Sequence, residues 1–307
     1  MNAPLCPKSV KNVCRLGLGT WALGGGSDWG ETPAQDFQEV LAFALENGIE
    51  LIDTSPIYGW GAAEKFLGDQ LKQHRQQVLL ATKCGISRNG GRPDHDLRAQ
   101  SIIAQCEQSL QQLQTDYIDL YQIHWPDPKV PLEVAAEALL KLKEQGKIRA
   151  VGVCNFSLDL LKKISRLMAV ESLQNPLSLL RPHQQEELSF CAEQNISFIA
   201  YGVLEGGILS AKYRQMPNFR RCDARRYFYK YYYGPEFSAA QQTAARVAQV
   251  AAQKGVAPSA VALAWALTQE KVGAVLVGAR NAYQLRQNIS ALSVTFTPQE
   301  KEFLLYG

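Results

Sequence analysis

Short apolar runs alternate along the chain with longer segments in which apolar residues return at helical spacing. The runs at 15–19, 49–53, 78–83, 118–124, 148–154, 171–174, 197–201 and 273–277 are four to seven residues long and rich in Ile, Val and Leu. That pattern predicts eight buried strands. Between them, 33–47, 62–73, 97–112, 132–145, 158–167 and 182–194 predict helices, with Gly48 and Gly146 at two of the stops. Strand then helix, repeated with no long hydrophilic linker, predicts a parallel sheet covered by helices. Eight repeats favour closure into an α/β fold of the (β/α)8 TIM-barrel kind, one domain over 1–307.

Two stretches test that pattern. Gly17, Gly19 and Ala22 in GLGTWA satisfy the GxGxxA phosphate-loop fingerprint, but WALGGGSDWG follows where a helix would have to open. The stretch therefore reads as a flexible loop above the first strand. The second anomaly is the interval from Tyr201 to Val277, 76 positions long, which marks an extended loop after strand seven. Its second half predicts helices at 239–254 and 258–269, and its first half mixes Arg, Tyr and Phe densely.

Composition narrows the function classes. With 32 basic and 29 acidic residues the net charge is +3, too balanced for a protein whose main task is neutralising phosphate backbones, so no nucleic-acid partner is expected. Seven cysteines, Cys6, Cys14, Cys84, Cys106, Cys154, Cys191 and Cys222, form no CxxC pair. They read as reduced thiols, with no metal site expected. The start, MNAPLCPKSV, has no apolar stretch behind a basic one, and no later run approaches the roughly 20 apolar residues that span a bilayer. The chain is expected to be cytoplasmic, without a membrane partner, and monomeric.

In a barrel the C-terminal ends of the strands converge on one mouth, where active sites lie. Three of those ends are ionisable: Asp53 closes GIELID, Lys83 closes VLLATK and His124 closes YIDLYQIH. Charges ending apolar strands are costly unless paired, so three on neighbouring strands suggest mutual pairing. Tyr58 follows Asp53 in DTSPIYGWG. An ammonium held beside a phenol favours the phenolate, so Lys83 is expected to lower the pKa of Tyr58 and let it donate a proton to a carbonyl oxygen. Asp53 would hold Lys83, and His124 would orient the carbonyl. Taken singly, each also reads as a cap, a core histidine or a surface turn. As a set at successive strand ends they read as catalytic.

These residues, with RLGLGTWALGG, ATKCG, LQTDYIDLYQIHWPDP, GKIRAVGVCNF, AYGVLEGGILSAKY and VLVGARNAYQLRQNI, give a sequence that resembles the aldo-keto reductases over nearly its whole length. The resemblance implies an NAD(P)H-dependent carbonyl reductase with Asp53, Tyr58, Lys83 and His124 as catalytic tetrad. It implies a cofactor site in which Asn155 and Gln174 hold the nicotinamide amide and Tyr201 stacks on the ring. Leu204, Gly206 and Gly207 would strap the pyrophosphate, and Gly278, Arg280, Gln284 and Asn288 would take the adenosine end, with Thr20, Trp21 and Asp53 completing the set. A glycine turn, helix N-terminal amides and a guanidinium make an anion site in any case. Arg280 would face a 2'-phosphate, so NADPH is expected as the cofactor. Trp21, Trp60 and Trp125, beside Tyr58 and His124, would contact a small carbonyl substrate. An alternative is a redox-sensing regulatory subunit of the potassium-channel beta type, which binds the cofactor with little turnover.

The sequence departs from the family pattern at Cys154, at Leu177 and Ser178, and at Gly202 and Val203. None of these is a tetrad position, but they bear on the cofactor strap and on substrate preference. The basic, aromatic segment 213–237 has three readings: a lid or cofactor clasp, a solvated surface loop, or a single-strand nucleic-acid contact. Its place above the barrel mouth favours the first.

Overall fold

The computed structural model describes residues 14–24, 29–30, 33–89, 92–269 and 271–307. Cys6 and the first ten residues lie outside them, as do 25–28 of the glycine-rich loop. In chain order the strands are β1 (Leu16–Gly19), β2 (Leu51–Asp53), β3 (Leu79–Cys84), β4 (Ile86–Asn89), β5 (Arg92–His95), β6 (Ile118–Ile123), β7 (Ile148–Cys154), β8 (Ser172–Pro176), β9 (Ser197–Tyr201) and β10 (Val272–Val277). Eight of them close into a parallel barrel in the order β1-β10-β9-β8-β7-β6-β3-β2, and β4 and β5 pair as a separate antiparallel hairpin. The eight barrel strands are those expected from the apolar runs. The hairpin is not among them, because Arg88, Asn89, Arg92 and Asp94 give it no apolar face to read.

The helices are α1 (Ala34–Glu46), α2 (Ala62–Leu71), α3 (Ala99–Leu113), α4 (Leu132–Glu144), α5 (Leu158–Leu167), α6 (Gln185–Glu193), α7 (Arg225–Phe228), α8 (Gly234–Lys254), α9 (Pro258–Leu267), α10 (Ala282–Ile289) and α11 (Pro298–Tyr306). The extended loop after β9 thus contains α7, α8 and α9. Helix α8 begins five residues before the expected start, since Pro235 sits in its first turn, where a missing N–H costs nothing. It stops at Gly255, whose φ of +66° lets its N–H close on Ala251. Helix α9 is buried on every side from Ser259 to Leu267. Within the loop expected above the first strand, Trp21–Gly24 forms a single 3-10 turn.

Two apolar layers result. The outer one, between strands and helices, includes Leu16, Leu18, Ile52, Leu80, Tyr121, Val151, Val153 and Phe198. The inner one fills the barrel with Leu51, Leu79, Ala81, Leu120, Ile199, Ala274 and Leu276. Alternation along each strand separates the two sets. At the strand starts Asp119 accepts from Arg75 at 2.7 Å and Arg149 at 3.0 Å, and the two guanidiniums bracket the Tyr117 ring at 4.0 and 3.5 Å. That end of the barrel is stapled; Asp53, Lys83 and His124 lie at the other.

Candidate active site

The inward face that carries Leu51 on β2 and Leu79 and Ala81 on β3 ends in Asp53 and Lys83. Both are almost fully buried, and Lys83 Nζ lies 2.5 Å from Asp53 Oδ1. A buried ion pair is tolerated when its remaining hydrogen-bonding capacity is filled. Here Lys83 also donates to the Thr54 carbonyl at 2.8 Å and to Tyr58 Oη at 3.3 Å. Asp53 Oδ2 accepts from Gln122 at 3.2 Å and Gln174 at 2.9 Å. Removing either ion would strand the other, at a cost of about 3–5 kcal/mol.

Tyr58 opens a 3-10 turn just past β2, and its ring packs parallel to Trp21 with centroids 6.1 Å apart. Desolvation pushes its phenol up to about 12, although Lys83 pulls the other way. This reverses the expected direction: the ammonium acts as anticipated, but burial outweighs it. For Lys83, burial alone would lower the pKa, and the charges of Asp53 and Tyr58 overcome that and raise it. His124, directly after β6, is held well below the ordinary imidazole range by burial, then by Lys83 and His95, so it is neutral. Its Nδ1 lies 3.2 Å from the Ser55 hydroxyl. With Ser55 as donor there, Nε2 carries the proton.

A cavity of about 830 Å³ runs from Asp53, Tyr58, His124, Trp125 and Trp21 past Asn155, Gln174 and Tyr201 to Arg280, Gln284 and Asn288. Thr20, Leu204, Gly206, Gly207 and Gly278 also face it. Tyr201 donates to Asn155 Oδ1 at 2.7 Å, and Asn155 donates to the His124 carbonyl at 2.9 Å, which fixes the middle of the wall. Gly206 and Gly207 have φ of +66° and +102°, which opens the loop under the insertion. Beyond it, Asn281 caps α10 by accepting from the Gln284 N–H at 2.9 Å, and the Arg280 N–H donates to Gln284 Oε1 at 3.0 Å.

One expected contact is corrected. Trp60 does not line this cavity: at Gly59 and Trp60 the backbone has φ of +59° and +53°, and the ring is 42% exposed under the Arg88 guanidinium. The hairpin supplies what the sequence reading missed, since Ile86, Pro93 and His95 line the cavity and His95 stacks on Trp125. Gln122, Thr54 and Ser55 were missed as well. Gln122 had a signal, a polar residue two before His124 on the inward face of an apolar strand. Cys154 is buried, and burial pushes its thiol up, so it stays protonated at the inner end of the site.

Residues 15–303 match the sequence model of the Aldo/keto reductase family. The chain is 38% identical to the aldo-keto reductase YhdN of Bacillus subtilis (strain 168), over 88% of this chain and 82% of that protein. It is 32% identical to the NADH-specific methylglyoxal reductase of Escherichia coli (strain K12), over 93% and 91%. Among solved structures, the glycerol dehydrogenase AKR11B4 from Gluconobacter oxydans superposes with a TM-score of 0.86 at 33% identity, over 95% of this chain and 90% of that one.

Proposed function

The chain belongs to the aldo/keto reductase family, and from that premise we propose that it is an NADPH-dependent reductase of small aldehydes and ketones, with Tyr58 as proton donor. The observation that carries this reading is Lys83, which holds the Asp53 carboxylate at 2.5 Å and the Tyr58 phenol at 3.3 Å in the wall of the large cavity.

The cavity suits a dinucleotide. It is continuous from the buried pair to the N-terminus of α10, it is lined midway by Tyr201, and it passes two positive-φ glycines where backbone approach is close. Asn155, Gln174 and Tyr201 would hold the nicotinamide, with Thr20, Trp21 and Asp53 beside it. Leu204, Gly206 and Gly207 would hold the pyrophosphate, and Gly278, Arg280, Gln284 and Asn288 the adenosine. Gln174 gives one amide hydrogen to Asp53, which leaves its carbonyl oxygen and second amide hydrogen to offer. When bound, the reduced nicotinamide supplies the hydride that the carbonyl carbon takes.

The protein's own part is to polarise the carbonyl and deliver a proton. His124, neutral and oriented by Ser55, donates from Nε2 to the carbonyl oxygen. Tyr58, kept protonated by burial, gives its Oη proton to the same oxygen as negative charge builds there. The phenolate left behind sits beside the Lys83 ammonium, and Asp53 holds that ammonium charged. Trp21 and Trp125 wall the site against water. Two similar proteins are named for methylglyoxal and for glycerol, which favours three-carbon substrates with oxygen on neighbouring carbons.

Consumption of NADPH with methylglyoxal, glyceraldehyde and propanal tests the reading. The Tyr58→Phe variant is expected to bind cofactor normally and to lose roughly 100-fold or more in kcat. An unchanged rate would remove Tyr58 from its assigned role. Cofactor binding by the wild-type protein with no carbonyl reduced would replace the reductase reading altogether.

A further inference from the structure

The basic, aromatic segment after β9 does more than roof the large cavity. Between residues 226–233 and the segment 180–183 beyond β8 lies a second cavity of about 560 Å³. Its lining holds Arg181, Arg226, Lys230 and His183 together with five aromatic rings and, among the described residues, no carboxylate. Neither Arg226 nor Lys230 forms an ion pair among the described residues. The Arg226 guanidinium reaches only the Phe219 carbonyl, at 3.5 Å, and Lys230 Nζ lies 5.5 Å from the Tyr231 ring centre.

Arg181 is different. Its Nη2 donates at 3.0 Å to Glu205, which is almost fully buried and also accepts from Ser178 Oγ at 2.6 Å, while its Nε is buried with no hydrogen-bond partner. The segment cannot drift, because Tyr231 donates to the Leu180 carbonyl at 2.9 Å and Tyr232 donates to the Glu205 carbonyl at 3.1 Å. The lining is therefore fixed on both sides. Glu205 pairs with Arg181 and its charge also reaches Lys230 without an ion pair, so among the described residues a single carboxylate faces three cations and the excess positive charge is left for a ligand.

We propose that this cavity is a second binding site, for a small aromatic anion such as an aryl phosphate or aryl carboxylate. The charge calls for an anion, since bringing one between Arg226 and Lys230 forms charge-assisted hydrogen bonds that the protein alone leaves unmade. The rings call for a flat apolar body, which Tyr227, Tyr229 and Tyr231 contact by face or edge. A volume of this size suits one small molecule better than a run of stacked nucleotides. The site is separated from the large cavity by Phe228 and Tyr229, which line both. It does not rest on the reductase reading.

Calorimetric titration of the cofactor-saturated protein with 2-naphthyl phosphate, 2-naphthol and inorganic phosphate tests the site, with the Arg226→Gln/Lys230→Gln double variant as control. Neither residue lines the large cavity, so the circular dichroism spectrum and thermal midpoint of the variant should be unchanged and report that it is folded. The naphthyl phosphate is expected to bind more tightly than either part alone and to lose about ten-fold or more in affinity in the variant. Equal affinity in wild type and variant would overturn the proposal. So would displacement of the probe by a carbonyl substrate, which would place it in the large cavity. An oligothymidine that bound more tightly than naphthyl phosphate through the same two residues would make the groove a nucleic-acid contact instead.

Discussion

Tyr58 shows how a single residue can be placed correctly by its neighbours and still behave differently from what they suggest. The ammonium of Lys83 does favour its phenolate, but desolvation is the larger effect and leaves the pKa at about 12. For the proton donor proposed above this is useful, because the group stays loaded across the whole physiological range and would give up its proton only when a partner of rising basicity sits against it. A consequence follows for stability. The folded pKa lies above the unfolded value of about 10, so the contribution of this phenol is fully present below that value and is lost as pH rises through the folded one. Difference absorbance titration of cofactor-free wild type against Tyr58→Phe should show no tyrosinate from this residue below about pH 11. A step near pH 8 would mean that Lys83 outweighs burial after all. The partners of Asp53, Lys83 and His124 were harder to read than those residues themselves: Gln122, Thr54 and Ser55 meet them through geometry that brings distant strands together, and only Gln122 left a mark in the pattern, as a polar break in an apolar strand.

Elements were legible where one periodicity dominated and illegible where none did. The eight barrel strands, buried on both faces, stand out as continuous apolar runs, and their ends located Asp53, Lys83 and His124. The hairpin of β4 and β5 rests on the barrel mouth with mostly polar side chains, so no alternation announces it, yet it brings Ile86, Pro93 and His95 to the cavity. Trp60 fails for a related reason. Its position in the mouth loop was right, but two successive positive-φ residues turn the ring outward. Packing between elements leaves a fainter trace still. Gly68 in α2 lies against the end of α3 so closely that a Cβ there would come within 2.8 Å of the Leu113 carbonyl carbon and closer still to the Gln112 carbonyl oxygen. Alanine at an exposed helical site gains about 1 kcal/mol over glycine, whereas forcing atoms into a packed backbone contact costs roughly 1–3 kcal/mol or more. The second effect should win here, so Gly68→Ala is expected to lower the denaturant midpoint. Equal or greater stability would show that α2 shifts freely on α3.

At the scale of the whole molecule, the barrel divides its labour between two ends. Strand starts are clamped by Arg75, Asp119 and Arg149, while strand ends and the loops above them form one cavity that reaches from Asp53 and Tyr58 to α10. A ligand spanning that cavity touches β1, β2, β8, β9 and β10, the residues just past β6 and β7, and the insertion together, so its binding free energy should appear as stability of the entire barrel. At a ligand concentration one hundred times Kd the gain is about 2.7 kcal/mol, which for a chain of this length is on the order of 4 °C in Tm. This makes thermal shift a direct test of cofactor choice. Arg280 sits at the far end of the cavity, where a 2'-phosphate would lie, though Asp223 is close enough to feel its charge. That acid weakens the attraction without abolishing it, because Asp223 already pairs with Arg225 at 2.6 Å. NADPH is therefore expected to raise Tm more than NADH at equal concentration, and Arg280→Ala should bring the two shifts together while leaving the NADH shift in place. A larger shift with NADH in the wild type would align this chain with the NADH-specific methylglyoxal reductase it resembles. A preference for NADPH that survived the substitution would move recognition of the 2'-phosphate from Arg280 to other groups at the N-terminus of α10.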